Sequence, residues 1–218
     1  DLFIVNRTAL YAGTYRHSKT TFFISVDFCW TRISKNVLVK MESAGNQRRF
    51  FVSDSLVGTS ETIRAAPFFE WFGGLIDGDG CFLLNKKGYC SLEITMGFED
   101  LRCLKYIQDY LSMGNIKMRS GAKAYRYRIH NDTHMRRLLP QLNGHIRHSV
   151  RLSQYHRLCN HYGINIIPPP NLTDVNGWFA GFFDADGTIG FYFKQERPQL
   201  TISVSNKLLV DLQPFKDF

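Results

Sequence analysis

The chain has 218 residues, 44% of them hydrophobic, which allows one large or two small packed domains and excludes wholesale disorder. No uninterrupted apolar run reaches the roughly 18–20 residues that a membrane-spanning helix needs, so no membrane partner is expected. The net charge of +8 and pI near 9.3 point to a polyanionic partner, and five cysteines without a Cys-x-x-Cys pair argue against a structural zinc or a disulfide framework and for a reducing compartment.

Residues 1–66 show no clean period. Residues 21–28 and 50–53 look β-like, between polar breaks, and the segment reads as an N-terminal extension with little core of its own. The first residue is Asp1 rather than Met, so the true start and any targeting peptide are expected to lie upstream. Pro67 opens a helix running to about Asp79, with Gly80 as its stop. Residues 81–86 and 89–96 read as strands around a turn at Lys86-Lys87-Gly88. Leu101, Leu104, Ile107 and Leu111 give residues 99–111 helical spacing. Residues 114–119 and 124–130 form a second hairpin, and residues 132–139 and 149–161 are helical. Pro168-Pro169-Pro170-Asn171 is a stiff connector. The order then restarts. Residues 173–186 form a helix capped by Thr173 or Asp174, residues 188–194 and 199–205 are strands, and Lys207 begins another helix.

This order predicts an α+β chain. Residues 1–66 are the extension, 67–167 a first repeat, 168–172 the linker and 173–218 a partial second repeat that ends before its third strand. Basic charge concentrates in the middle: residues 67–170 carry 14 basic and 8 acidic side chains, residues 171–218 only 4 and 6.

The restart is marked by two near-identical runs. Residues 72–80 read FGGLIDGDG and residues 179–187 read FAGFFDADG, each following a Trp by the same offset (Trp71, Trp178). Each run places two carboxylates in the last turn of a helix, at the negative pole of its dipole, where an acidic side chain costs roughly 0.3–1 kcal/mol. Two copies of an unfavourable placement ask for a cation, and Mg²⁺ needs only one or two carboxylates plus phosphate oxygens. Asp77 and Asp184 are read as bonding to nearby backbone groups, as short Asp side chains near helix ends do; Asp79 and Asp186 are the ligand candidates. Gly74 and Gly78, like Gly181 and Ala185, are four apart and share a helix face. Small residues there let two helices approach closely, which would bring Asp79 and Asp186 to one end and suit two-metal phosphodiester hydrolysis. On the strands, Arg126, Arg128 and His130 share one face. Asn115, Lys117 and Arg119 alternate with apolar neighbours, Asn85 and Lys87 less cleanly, and Thr201 and Ser203 repeat the pattern later. A ribbon with such a face fits the major groove, although for any single strand a solvated sheet face is the commoner reading.

Two other readings of Asp-x-Asp-Gly fail. A haloacid-dehalogenase-like nucleophile motif needs a long remainder after it and leaves the first copy without an account. A calcium loop needs Gly at its sixth position and Glu at its twelfth, where this sequence has Phe82 or Ile189 and Gly88 or Gln195.

The paired runs resemble the LAGLIDADG signature, and the order of helices and hairpins over residues 67–218 resembles two-repeat, single-chain homing endonucleases of organellar introns. Residues 142–154 and 176–190 resemble members from mitochondrial introns in particular. The resemblance implies two pseudo-symmetric αββαββα repeats, with motif helices packed at the interface and antiparallel sheets forming a DNA-binding saddle, the second repeat here incomplete. It implies metal-dependent double-strand cleavage of long DNA sites for intron homing, leaving 3′ overhangs, with Mg²⁺ (Mn²⁺ as a substitute). It carries the catalytic metals to Asp79 and Asp186, with Gly78 and Ala185 beside them in the metal site, and offers Arg147 and Arg151 as catalytic basic residues. The implied partner is double-stranded DNA, the implied state a monomer when full length, and the implied location the mitochondrion, with the chloroplast as alternative. The same scaffold can also serve as an intron RNA maturase.

Overall fold

The structure is a computed structural model that describes residues 8–15, 19–29, 61–173, 176–194 and 197–215; residues 50–53, read above as β-like, lie outside these. Strands β1 (Thr8–Tyr15) and β2 (Lys19–Cys29) come first, followed by helix α1 (Glu61–Asp79). The first repeat continues through β3 (Gly80–Leu84), β4 (Cys90–Gly97), α2 (Leu101–Leu111), β5 (Asn115–Met118), β6 (Ala124–Ile129), α3 (Asp132–Leu138) and α4 (Ser149–Tyr162). The second holds α5 (Trp178–Asp186), β7 (Gly187–Lys194), β8 (Arg197–Asn206) and the short α6 (Leu209–Leu212).

The two helices that carry the repeated runs begin elsewhere than expected. Pro67 lies inside α1, not at its start. A proline there removes one helical hydrogen bond at a cost of about 3 kcal/mol. The residues that follow, Phe68, Phe69, Phe72, Leu75 and Ile76, are all buried, and tertiary burial of that kind, not propensity, is what sustains a helix. Helix α5 starts at Trp178, not at residue 173. Asn176 Oδ1 accepts the Trp178 N–H at 2.8 Å, and Glu70 Oε2 on α1 accepts the Gly177 N–H at 2.8 Å. The first bond satisfies an N–H of the first turn, and the second ties the residue just before the helix to α1.

Each repeat has its own core. The larger one joins α1, the β3–β6 sheet, α2, α3 and α4 through residues such as Phe72, Leu75, Leu92, Ile94, Leu104, Ile107, Tyr127 and Leu158. Two of its tyrosines send their hydroxyls to backbone carbonyls, Tyr127 to Met113 and Tyr155 to Leu139, both at 2.7 Å, so the polar tips of buried rings are satisfied. The smaller core is Trp178, Phe182, Val204, Leu212 and Phe215. Trp178 and Phe182 stack at 5.0 Å with planes 10° apart.

Both sheets are antiparallel and four-stranded, with orders β3-β4-β6-β5 and β1-β2-β8-β7. The second order includes two strands from the segment read above as an N-terminal extension. Among the described residues, the second repeat contributes β7 and β8 to this sheet. The other two positions of its sheet are filled by β1 and β2, with β2 paired to β8 from Phe22↔Asn206 to Cys29↔Gln199.

Candidate active site and nucleic-acid face

Helices α1 and α5 meet through their small residues. A Cβ built on Gly74 would lie 1.9 Å from the Trp178 carbonyl oxygen, and one on Gly181 would lie 1.8 Å from the Trp71 carbonyl oxygen. One on Gly78 would meet the Ala185 Cβ at 2.3 Å. Only glycine permits this backbone approach at Gly74 and Gly181, so the expected interface residues Gly74, Gly78, Gly181 and Ala185 are all at the crossing.

The same crossing settles Asp77 and Asp184, and differently from a local backbone role. Trp178 Nε1 donates to Asp77 Oδ2 at 2.9 Å, and Trp71 Nε1 donates to Asp184 Oδ2 at 2.9 Å. Each tryptophan reaches from its own helix to the other repeat's first Asp. Asp77 Oδ2 also accepts the Arg147 backbone N–H at 2.7 Å. Burial nevertheless pushes Asp77 up to about 7, against these bonds and the Arg151 charge. Replacing Trp178 by Phe would keep the ring stack but strip a donor from a fully buried carboxyl. The expected cost is about 1–3 kcal/mol, read from urea unfolding.

At the end of the helix pair, Asp79 and Asp186 come together. A Cβ on Gly78, next to Asp79, would lie 3.4 Å from Asp186 Oδ2. Burial pushes Asp79 up to about 7, and the nearby charges of Asp186 and Asp100 add to the rise. Asp186 is raised too, by removal of its carboxyl from water, while His148 and Arg151 pull it down. Two carboxylates that repel one another in a partly dry site fit a hard divalent cation, whose preferred ligands are oxygens. The donor set is therefore suited to the implied metal.

Carboxyls with raised pKa values tie stability to pH. The unfolded Asp value is 3.8 and the folded value of Asp79 about 7, so the unfolded state releases its proton first. Their contribution is fully present below about pH 4 and is lost as pH rises through 7. In EDTA, the fall in Tm between pH 5 and pH 8 should be steeper for the native chain than for Asp79→Asn. Equal slopes would contradict the assignment.

The two arginine candidates separate. Arg151, on α4, acts on Asp77, Asp79 and Asp186, and among the described residues its buried Nε has no hydrogen-bond partner. Arg147 faces the Asp77–Trp178 junction instead. Its guanidinium carbon lies 5.5 Å from the Trp178 ring centre, and Nη1 donates to the Pro170 carbonyl. Arg147 precedes α4 and Arg151 lies inside it, so their spacing in sequence did not reveal this. The sequence reading also missed His148. Its Nδ1 accepts the Val150 N–H at 3.3 Å, and its Nε2 lies 3.2 Å from Asp211 Oδ2. Asp211 in turn accepts the Ser149 N–H at 2.7 Å and its hydroxyl at 3.0 Å. The second repeat thereby caps the helix that carries Arg151.

The first sheet gathers several of the expected DNA-facing residues. Asn115 pairs with Arg128 and Lys117 with Arg126, so these four share the face opposite buried Tyr127 and Ile129. Glu93 of β4 sits on the same face and holds both arginines, at 3.4 Å to Arg126 and 3.0 Å to Arg128. Arg119 and His130 are exposed at the two ends of this hairpin. Asn85 departs from the expectation. Its Oδ1 accepts the N–H groups of Lys87 and Tyr89, both at 2.9 Å, so it shapes the β3–β4 turn. Lys87 is exposed in that turn. Thr201 and Ser203 lie on β8, opposite Asp27 and Ser25 of β2.

The sequence is similar to several known proteins. Residues 72–162 match the family described as LAGLIDADG endonuclease. A probable intron-encoded endonuclease aI2 of Debaryomyces hansenii is 44% identical over 165 residues, covering 69% of this chain and 25% of that protein. The intron-encoded RNA maturase bI4 of Saccharomyces cerevisiae is 47% identical over 153 residues, covering 69% and 24%. An intron-encoded DNA endonuclease ai2a of Dictyostelium discoideum is 37% identical over 152 residues, covering 69% and 48%. The chain thus spans about a quarter of the length of the first two relatives and about half of the third. Among solved structures, the LAGLIDADG meganuclease I-AabMI bound to uncleaved DNA is similar with a TM-score of 0.43 and 16% identity, over 69% of this chain and 83% of that one. With its paired motif helices and these relatives, the chain belongs to the LAGLIDADG endonuclease family.

Proposed function

We propose that this chain is a site-specific DNA endonuclease that makes metal-dependent double-strand breaks for intron homing. The observation that carries the reading is the meeting of two acidic helix ends, Asp79 and Asp186, across a glycine-lined helix pair. These two carboxylates, with Gly78 and Ala185 beside them, would hold Mg²⁺, and Mn²⁺ could take its place. The bound ions would polarise a phosphodiester and supply a reactive water. Arg151 places a fixed positive charge beside the carboxylates, where it stabilises added negative charge on a cleaved phosphate. Arg147 steadies the Trp178 side of the crossing and so acts on position only. The basic face of β5 and β6 fits DNA, with Lys117 and Arg119 as phosphate contacts and Arg126 and Arg128 as base readers. The full-length protein acts as a monomer in the mitochondrion, with the chloroplast as the alternative.

A second reading has its own support. The Saccharomyces cerevisiae relative is named an RNA maturase, so the scaffold here could assist splicing of an intron RNA. One experiment separates them. A randomised duplex library is incubated with the chain and Mg²⁺ and sequenced for breaks, beside a binding assay with intron RNA. Recurrent double-strand breaks at one sequence support the nuclease. RNA binding with no break in any duplex supports the maturase.

A further inference from the structure

The basic face of the first sheet carries its own counter-charge. Among the described residues of β3–β6, Glu93 alone is acidic. It lies directly across from Arg128 in register and diagonal to Arg126, which pairs with Thr95. Its two oxygens go to different arginines, Oε1 to Arg128 Nε at 3.0 Å and Oε2 to Arg126 Nη1 at 3.4 Å. The Glu93 side chain is 16% exposed, those of Arg126 and Arg128 37% and 48%. The carboxylate therefore sits deeper in the face than the two guanidiniums it holds.

Stability does not account for this placement. Ion pairs with such exposed arginines contribute little, and Glu93 cancels one positive charge on a face that attracts polyanions. What the carboxylate changes is the kind of acceptor each arginine can take. A phosphate oxygen on either guanidinium would bring a full negative charge close to the Glu93 carboxylate, and the two repel. The O6 and N7 acceptors of guanine belong to a neutral base and meet no such repulsion. Arg128 is held through Nε, so Nη1 and Nη2 stay available for a two-pronged grip on those atoms.

We infer that Glu93 is a specificity-determining residue of this chain: it keeps Arg126 and Arg128 off phosphates and so reserves them for base edges. This rests on the reading of the β5–β6 face as a DNA contact. Phosphates are alike at every sequence, so a cation that grips them binds all DNA equally. A buried like charge beneath the two arginines weakens that indiscriminate mode more than it weakens base contact. Specificity is thereby gained by rejecting the wrong acceptor rather than by adding a contact to the right one.

Duplex binding by the full chain in EDTA tests this with two probes, a pool of random-sequence duplexes and the duplex that the native chain enriches from that pool. Glu93→Gln keeps the shape and removes the charge. It should bind the random pool about tenfold more tightly, and its log–log salt slope should steepen by about 1–2, roughly one for each arginine that reaches a phosphate. Affinity for the enriched duplex should rise less, so the ratio of the two falls. Damage to the fold would weaken binding, the opposite sign, and Glu93→Ala replaces Glu93→Gln should the latter fail to fold. Glu93→Asp keeps the charge and should keep the native slope and ratio. An unchanged slope in Glu93→Gln, equal steepening in Glu93→Asp, or a native chain that binds the pool and enriches nothing overturns the inference while leaving DNA binding intact. A native chain that binds no duplex overturns DNA binding itself.

Discussion

Gly181→Ala is expected to destabilise the protein by about 3 kcal/mol, near the upper end of what overpacking usually costs. The added methyl would lie 1.8 Å from the Trp71 carbonyl oxygen and 2.9 Å from the Leu75 amide nitrogen, and both neighbours are backbone of α1. Neither can rotate away, so the helices must separate. Separation would also stretch the bonds from Trp71 to Asp184 and from Trp178 to Asp77. In a chain of this size that loss corresponds to a Tm lower by ~10 °C. Gly97→Ala is the control. Its nearest neighbour would be Asp100 Oδ2 at an ordinary 3.5 Å, and its backbone, at φ −57°, suits alanine. A native-like Tm for Gly181→Ala would mean that the helices do not cross as described.

Asp79→Asn and Asp186→Asn are expected each to lower DNA cleavage at least ~1,000-fold while leaving DNA binding in place. A bound divalent ion contributes several kcal/mol of charge stabilisation to such a reaction, and each 1.36 kcal/mol is a factor of ten in rate. Binding survives because it draws mainly on phosphate contacts of basic side chains, and losing a negative charge near the backbone does not weaken it. Asp77→Asn is the contrasting variant. Asp77 lies two residues from Asp79 but bonds to Trp178 and to the Arg147 backbone. Its replacement should change unfolding far more than the cleavage step of the folded protein. Cleavage by Asp79→Asn at the native rate would remove the metal role assigned to it.

Much of this site could be read from sequence because it is written twice. A single Asp-x-Asp-Gly has many readings. Two copies with the same glycine spacing and the same preceding Trp allow few, and the helix crossing and the joined Asp79 and Asp186 both followed. The crossed tryptophan bonds did not, although the equal offset of Trp71 and Trp178 was the available signal. They depend on which face each helix turns to the other, and periodicity does not encode a partner 101 or 113 residues away. The start of α1 was misplaced because proline is a local rule overridden by burial of the residues after it. The place of β1 and β2 was hidden for another reason. Strand pairing is made by backbone groups, which every residue carries, so a strand added at a sheet edge leaves little trace in side-chain order.

The glycine-lined contact also bears on how the protein is made. Helix α1 leaves the ribosome while its partner α5 is still unsynthesised, about a hundred residues behind. At roughly 5–20 residues per second the wait is on the order of 5–20 seconds. During it the larger core can already cover Phe72, Leu75 and Ile76. What stays uncovered is the groove of Gly74 and Gly78, which offers hardly any oily surface to chaperones or to other nascent chains.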